Sequence, residues 1–223
     1  MSFTDRYKTP ADLPTRLPVF PLPGALLLPR ADLPLNVFEP RYLQMISDAM
    51  AGDRLVGIIQ PADETADLMS RPRLCQVGCA GRVTSYAETP DSRVLITLTG
   101  VCRFRIGIEL VTVTPYRSVE ADYGPFTGDL IAENGQEEVD RVALLKAFRD
   151  YLDANDLRAD WDQVASASTE TLVNTLSLLA PYPAREKQAL LEAADLKTRA
   201  DVLVALTEIA LAKSRGGETR RLQ

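Results

Sequence analysis

Between residues 17 and 50 the chain reads LPVFPLPGALLLPRADLPLNVFEPRYLQMISDAM, and its prolines constrain the fold more than any other feature. Pro18, Pro21, Pro23 and Pro29 each fix φ and remove a backbone donor, so the first half of this stretch is barred from helix. It must run extended. Leu17, Val19 and Phe20, then the apolar run 25–28, predict short strands separated by turns, with Gly24 free to bend. Leu33, Leu35 and Val37 alternate with Pro34, Asn36 and Phe38, which predicts a third strand with one buried face. Pro40 then opens a segment with Tyr42, Leu43, Ile46, Ala49 and Met50 at helical spacing, with Glu39 near its positive end and Gly52 as its stop.

The rest of the β pattern follows. Residues 55–59 read as a short buried strand. Residues 62–73 carry no period and read as a mobile surface loop. Cys75, Val77, Cys79, Gly81 and Val83 share one face of a strand that pairs, across a turn near Pro90, with residues 93–99. After Gly100 a separate strand is expected, with Cys102, Phe104, Ile106, Ile108 and Leu110 in the core and Arg103, Arg105 and Glu109 wet. The phase changes beyond Pro115, predicting a bulge or bend. The glycine-rich segment GPFTGDLIAENG, residues 124–135, is read as a linker between a β domain (1–123) and a helical bundle (136–214), with a flexible tail at 215–223. In the bundle the predicted apolar stripes are Val139, Val142, Leu145, Phe148 and Leu152, then Leu190 and Leu191, then Val202, Leu203, Leu206, Ile209 and Ala210.

Two of these segments, LPVFPLPG and PLNVFEPRYLQMI, resemble the opening of the Lon substrate-binding domain family, the amino-terminal module of the ATP-dependent protease Lon, which also occurs as a free-standing protein. VGCAGRVTSY (77–86), LITLTGVCRFRI (95–106) and KQALLEAADLKTRADVLVAL (187–206) extend the resemblance over residues 17–211. It implies an α+β protein: an antiparallel, barrel-like PUA-like sheet with one helix, followed by an α-helical bundle. It also implies a non-enzymatic module that recognises unfolded or tagged polypeptide, with a protease as a further partner, as an adaptor or chaperone-like factor.

Chemistry is bounded mostly by what is missing. With no histidine in 223 residues, a Ser-His-Asp triad and histidine metal ligands are impossible. No glycine precedes a lysine, so no P-loop exists, and there is no GxSxG elbow. No cofactor and no metal are expected. Cys75 and Cys79 lie four residues apart on one strand, a span of about 13 Å, too far for a disulfide, and read as small buried hydrophobes. A scattered Ser-Lys peptidase and a PUA-like RNA binder are the alternatives. The net charge of -6 opposes the second, since residues 120–170 hold thirteen acids against four bases. No nucleic-acid partner and no membrane partner are expected, and three cysteines without an export signal predict a reducing cytoplasm.

The candidate polypeptide-binding residues are Leu27, Asn36, Phe38, Glu39, Arg41, Tyr42 and Met69. An aromatic and arginine corner at 38–42 has the composition of a recognition anchor. The proline-rich opening, around residues 20–28, is expected to run along a sheet margin beside the 62–73 loop, because a strand lacking donors cannot complete a sheet on both sides.

Overall fold

A computed structural model describes residues 6–63, 65 and 67–221, with side chains to residue 213. The chain divides into two compact units, residues 1–132 with 182–191, and residues 133–181 with 192–223.

In the first unit the strands are β1 (Arg16–Pro21), β2 (Asp32–Val37), β3 (Leu55–Ile59), β4 (Val77–Glu88), β5 (Val94–Leu110) and β6 (Arg117–Asp122), with helix α1 (Pro40–Ala51) between β2 and β3. Their order is β2-β5-β4-β3-β1-β6, and β6 returns to pair with β5. Five strands thus close a ring, and β2 extends from the first half of β5. The sheet is mixed rather than antiparallel throughout, because β1 and β3 run parallel. The fold class is α+β.

The prolines do not put β1 at a margin. Pro18 pairs only towards β6 and Pro21 only towards β3, while Val19 alone has partners on both sides. A missing donor costs little where only one neighbour needs one. The run 25–28 is not a strand either; it is a buried connection that ends in β2.

Leu17, Val19, Cys102, Phe104 and Val119 line the inner face of the ring with Gly57 and Gly78, while Val56 and Cys79, one residue away in register, are buried on the opposite face of the sheet. Phe104 is the bulkiest, and its ring fits because Gly57 and Gly78 lack side chains: a Cβ on either would lie within 3 Å of it. β5 continues through Gly100, where a break was expected, and its register with β6 shifts between Ile106 and Glu109. Arg103, expected wet, is buried. Its guanidinium meets Asp129 at 2.8 Å from both Nε and Nη2, and Nη1 donates to the Leu191 carbonyl at 3.0 Å. Asp129 belongs to the 3₁₀ segment Gly124–Leu130, so part of the expected linker is packed structure in this unit, with Phe126 also buried. Most of α5 (Ala184–Glu192) also belongs here, with Leu190 and Leu191 buried as expected.

The second unit holds α2 (Arg141–Ala154), α3 (Trp161–Ser166), α4 (Thr169–Leu179) and α6 (Leu196–Arg221), with α2 and α4 packed on α6. Asp140, Asp160 and Ser168 cap α2, α3 and α4 by accepting from first-turn amides. Arg141 donates to the Val164 and Ala167 carbonyls and ties the α3–α4 connection to the start of α2. The buried stripe of α2 is Leu144, Ala147 and Leu152; Val142 faces solvent, as does Ile209 of α6. Helix α6 continues through most of the expected tail, while side chains from 214 onward lie outside the described residues.

Candidate functional site

A cleft of about 300 Å³ in the first unit lies where four segments converge. They are the end of β1 (Pro21), the first turn of α1 (Arg41, Tyr42), the 3₁₀ turn Leu68–Ser70 with Arg71, and residues 114–117 before β6. Pro40 at the first helical position, after an extended Glu39, starts α1 abruptly and sends Arg41 and Tyr42 into the wall. Tyr42 packs on Phe20 with ring centroids 4.0 Å apart, and Arg41 lies 4.6 Å above the Tyr42 ring. Burial raises the Tyr42 phenol above its ordinary pKa.

The charged groups of this wall are matched in pairs. Arg41 donates from Nε to Glu39 at 3.0 Å, with Nη2 2.8 Å away, and from Nη1 to the Leu68 carbonyl at 3.4 Å. Glu109 accepts from Arg117 and from Arg71, and Arg117 also donates to the Pro72 carbonyl at 2.7 Å. These hydrogen bonds, that of Arg117 foremost, hold the Glu109 carboxyl below its ordinary pKa. Tyr116 donates to Asp48 at 2.7 Å, and burial followed by that bond pushes its phenol up to about 12. Arginines therefore brace the 62–73 loop instead of presenting bare charge. Met69, 71% exposed, sits on that loop at the mouth, while Val111 and Val113 are fully exposed on the turn leading to Thr114.

Of the predicted residues, Arg41, Tyr42 and Met69 meet at this cleft, with Glu39 behind them through Arg41. Leu27 does not: at 1% exposure it is core, so close to Gly81 that a Cβ there would lie 2.6 Å from it. Asn36 is exposed on β2, and Phe38, 61% exposed, lies under the Arg93 guanidinium at 5.8 Å, outside the cleft lining. Pro21, Arg71 and residues 114–117 were missed, as were the exposed Val111 and Val113 just before them. The run VTVT held the available signal, two valines in a segment that fits neither neighbouring strand phase.

A second cavity, about 350 Å³, surrounds Gln60, Asp63, Cys75, Arg185 and Gln188. Its central Gln60 is occupied internally, donating to Ala184 and Gln188 and accepting from Gly24. Saturated amides of this kind offer little to a ligand, so the smaller cleft is the better candidate. Among the described residues no group of three Cys, Asp or Glu side chains could hold a metal, and no helix is long and apolar enough to cross a membrane.

Residues 16–208 match the model of the ATP-dependent protease La (LON) substrate-binding domain. The chain is 26% identical over 198 residues to Lon protease 2 of Myxococcus xanthus, covering 87% of this chain and 24% of that protein. It is 26% identical over 200 residues to the Lon protease of Flavobacterium johnsoniae, covering 85% and 23%. It therefore spans about a quarter of the length of these relatives. Among solved structures, the Lon N-terminal domain protein of Xanthomonas campestris superposes with a TM-score of 0.62 at 22% identity, covering 86% of this chain and 98% of that one. The N-terminal domain of a Mycobacterium avium complex Lon protease gives 0.64 at 19%, with the same coverage.

Proposed function

This chain belongs to the substrate-binding domain family of the ATP-dependent protease La (LON), and from that premise we propose that it is a non-enzymatic module that binds unfolded or tagged polypeptide in the cytoplasm. The observation that supports the reading is the cleft and its approach: Met69 stands exposed in a lining that includes Tyr42 and Pro115, and Val111 and Val113 are fully exposed on the turn that leads to Thr114, while the neighbouring arginines are engaged with Glu39 and Glu109. Apolar groups left in water on a braced frame suit a partner with exposed hydrophobic side chains. Arginines committed to carboxylates suit phosphate poorly, which sets the reading apart from RNA binding. In the cell such a module would serve as an adaptor, passing captured chain to a protease.

The test is fluorescence anisotropy with a labelled, carboxymethylated polypeptide that cannot refold. Met69→Asp and Val113→Asp are each expected to weaken binding more than tenfold, about 1.4 kcal/mol, without moving the melting temperature. Full binding retained by both folded variants would exclude the cleft.

A further inference from the structure

Beyond the ring, β2, the first half of β5 and the second half of β4 form a three-stranded arm with two outer edges. They differ. On β2, Gly100 donates to the Ala31 carbonyl, so antiparallel alternation turns Leu33, Leu35 and Val37 towards β5 and Pro34 outward. The outer side of β2 therefore lacks a donor at its centre, which blocks strand addition.

The edge of β4 is open. β3 covers β4 only as far as Arg82, and among the described residues no strand pairs with that side of residues 84–88. Thr89 donates to the Arg93 carbonyl, so alternation turns Ser85 and Ala87 towards β5 and the main chain of Tyr86 and Glu88 outward. Neither of these residues is a proline. All four from Ser85 to Glu88 are exposed. An amide and a carbonyl repeated every second residue, about 7 Å apart, match an extended polypeptide backbone and no small ligand.

We propose that residues 84–88 of β4 are a strand-addition site for an extended polypeptide segment that alternates apolar and basic residues. The side chains decide the alternation. On the face shared by Ala87, Leu95 and Asn36 an added strand meets exposed Ala87 first and Leu95, 46% exposed, behind it. On the opposite face it meets Tyr86 and Glu88, whose hydroxyl and carboxylate are joined at 2.9 Å, so a lysine or arginine is favoured there. The inference rests on the polypeptide-binding reading but uses a different element from the cleft.

The probe is a labelled extended peptide of alternating valine and lysine, and the decisive variant is Tyr86→Pro. It removes one outward donor and none of the bonds to β5. Binding is expected to fall at least tenfold in Tyr86→Pro, to persist in Tyr86→Phe, and to slow hydrogen exchange at the Tyr86 and Glu88 amides of the unaltered protein. The exchange measurement decides the matter even if Tyr86→Pro does not fold. Unchanged exchange at both amides overturns the proposal, whatever the cleft does. Loss of binding in Met69→Asp alone leaves the cleft standing and removes the edge. A dimer of the peptide-free protein that Tyr86→Pro dissociates would make the occupant a second copy of the chain and also overturn it.

Discussion

Arg117 holds Glu109 through two nitrogens, Nε to Oε1 at 2.8 Å and Nη2 to Oε2 at 2.5 Å, across the turn that joins β5 to β6. Its third nitrogen reaches the Pro72 carbonyl, so a single side chain joins the β hairpin to the loop that walls the cleft. A planar, forked donor suits this role, and lysine could not make all three bonds at once.

Glu109→Gln should therefore loosen the loop more than the barrel. The Arg117 side chain is 11% exposed and the Glu109 side chain 36%, so solvent screening limits the cost to about 1–2 kcal/mol. The folded carboxyl titrates below its ordinary value, so its contribution is full above the unfolded glutamate pKa and fades as pH falls through the lower folded one. Proteolysis within residues 62–73 should accelerate below about pH 4 and be constant from pH 6 to 8. Equal cleavage rates at pH 3.5 and pH 7 in protein that remains folded would disprove the latch.

Arg103 and Asp129 form the buried counterpart. With side-chain exposures of 3% and 9%, neither charge can turn to water when its partner is lost. Asp129→Ala leaves a guanidinium without its carboxylate and should cost about 3–5 kcal/mol. Urea denaturation measures it; a loss below 1 kcal/mol would mean that the Leu191 carbonyl and the Phe126 ring, 4.6 Å from the guanidinium, suffice.

None of the three cysteines is in a disulfide, and their burial separates them. Cys79 and Cys102 are fully buried on opposite faces of the sheet, and burial, reinforced by Asp129, drives the Cys102 thiol far above its ordinary pKa. Cys75 is half-exposed. A thiol reagent applied to native protein at pH 8 should label Cys75 alone, and the other two only in denaturant. Mass spectrometry reads the sites, and rapid native labelling of Cys102 would contradict the packing around Phe104.

Local pattern made the strands and α1 legible, because an alternation of period two or a proline start is written into the residues themselves. α1 was expected to open at Pro40 and stop at Gly52, and it occupies Pro40–Ala51. Ring closure was not legible in the same way. Whether Pro18 lies at a margin depends on β6, a hundred residues away, and whether Arg103 is wet depends on Asp129 in a segment that read as linker. The expected stripe at α2 held at Val139 and Leu152 and failed at Val142 for a related reason: α6 selects which apolar residues are covered, and Val142 has the composition for burial without the neighbour. The cleft was half legible, since Arg41, Tyr42 and Met69 stand on local signals, whereas residues 114–117 arrive through the β5–β6 turn and Arg71 is held by its pairing with Glu109 on β5.

The sharpest separation lies between Leu27 and Met69, two apolar residues that the sequence placed on one surface. Leu27 is enclosed, with Gly81 packed against its side chain and Leu26 and Leu28 buried on either side. Leu27→Asp forces a carboxylate into that space and removes a large apolar side chain, two penalties that together exceed about 4 kcal/mol. Met69 projects from a 3₁₀ turn capped by Asp67, whose side chain accepts from the Met69 amide at 2.9 Å. Met69→Asp changes a solvated side chain and leaves that main-chain bond in place, so its cost should stay within about 0.5 kcal/mol. Urea melts of the two variants should differ by most of the protein's stability. Two equal midpoints, at either extreme, would show that the wall of the cleft and the inside of the barrel had been wrongly told apart.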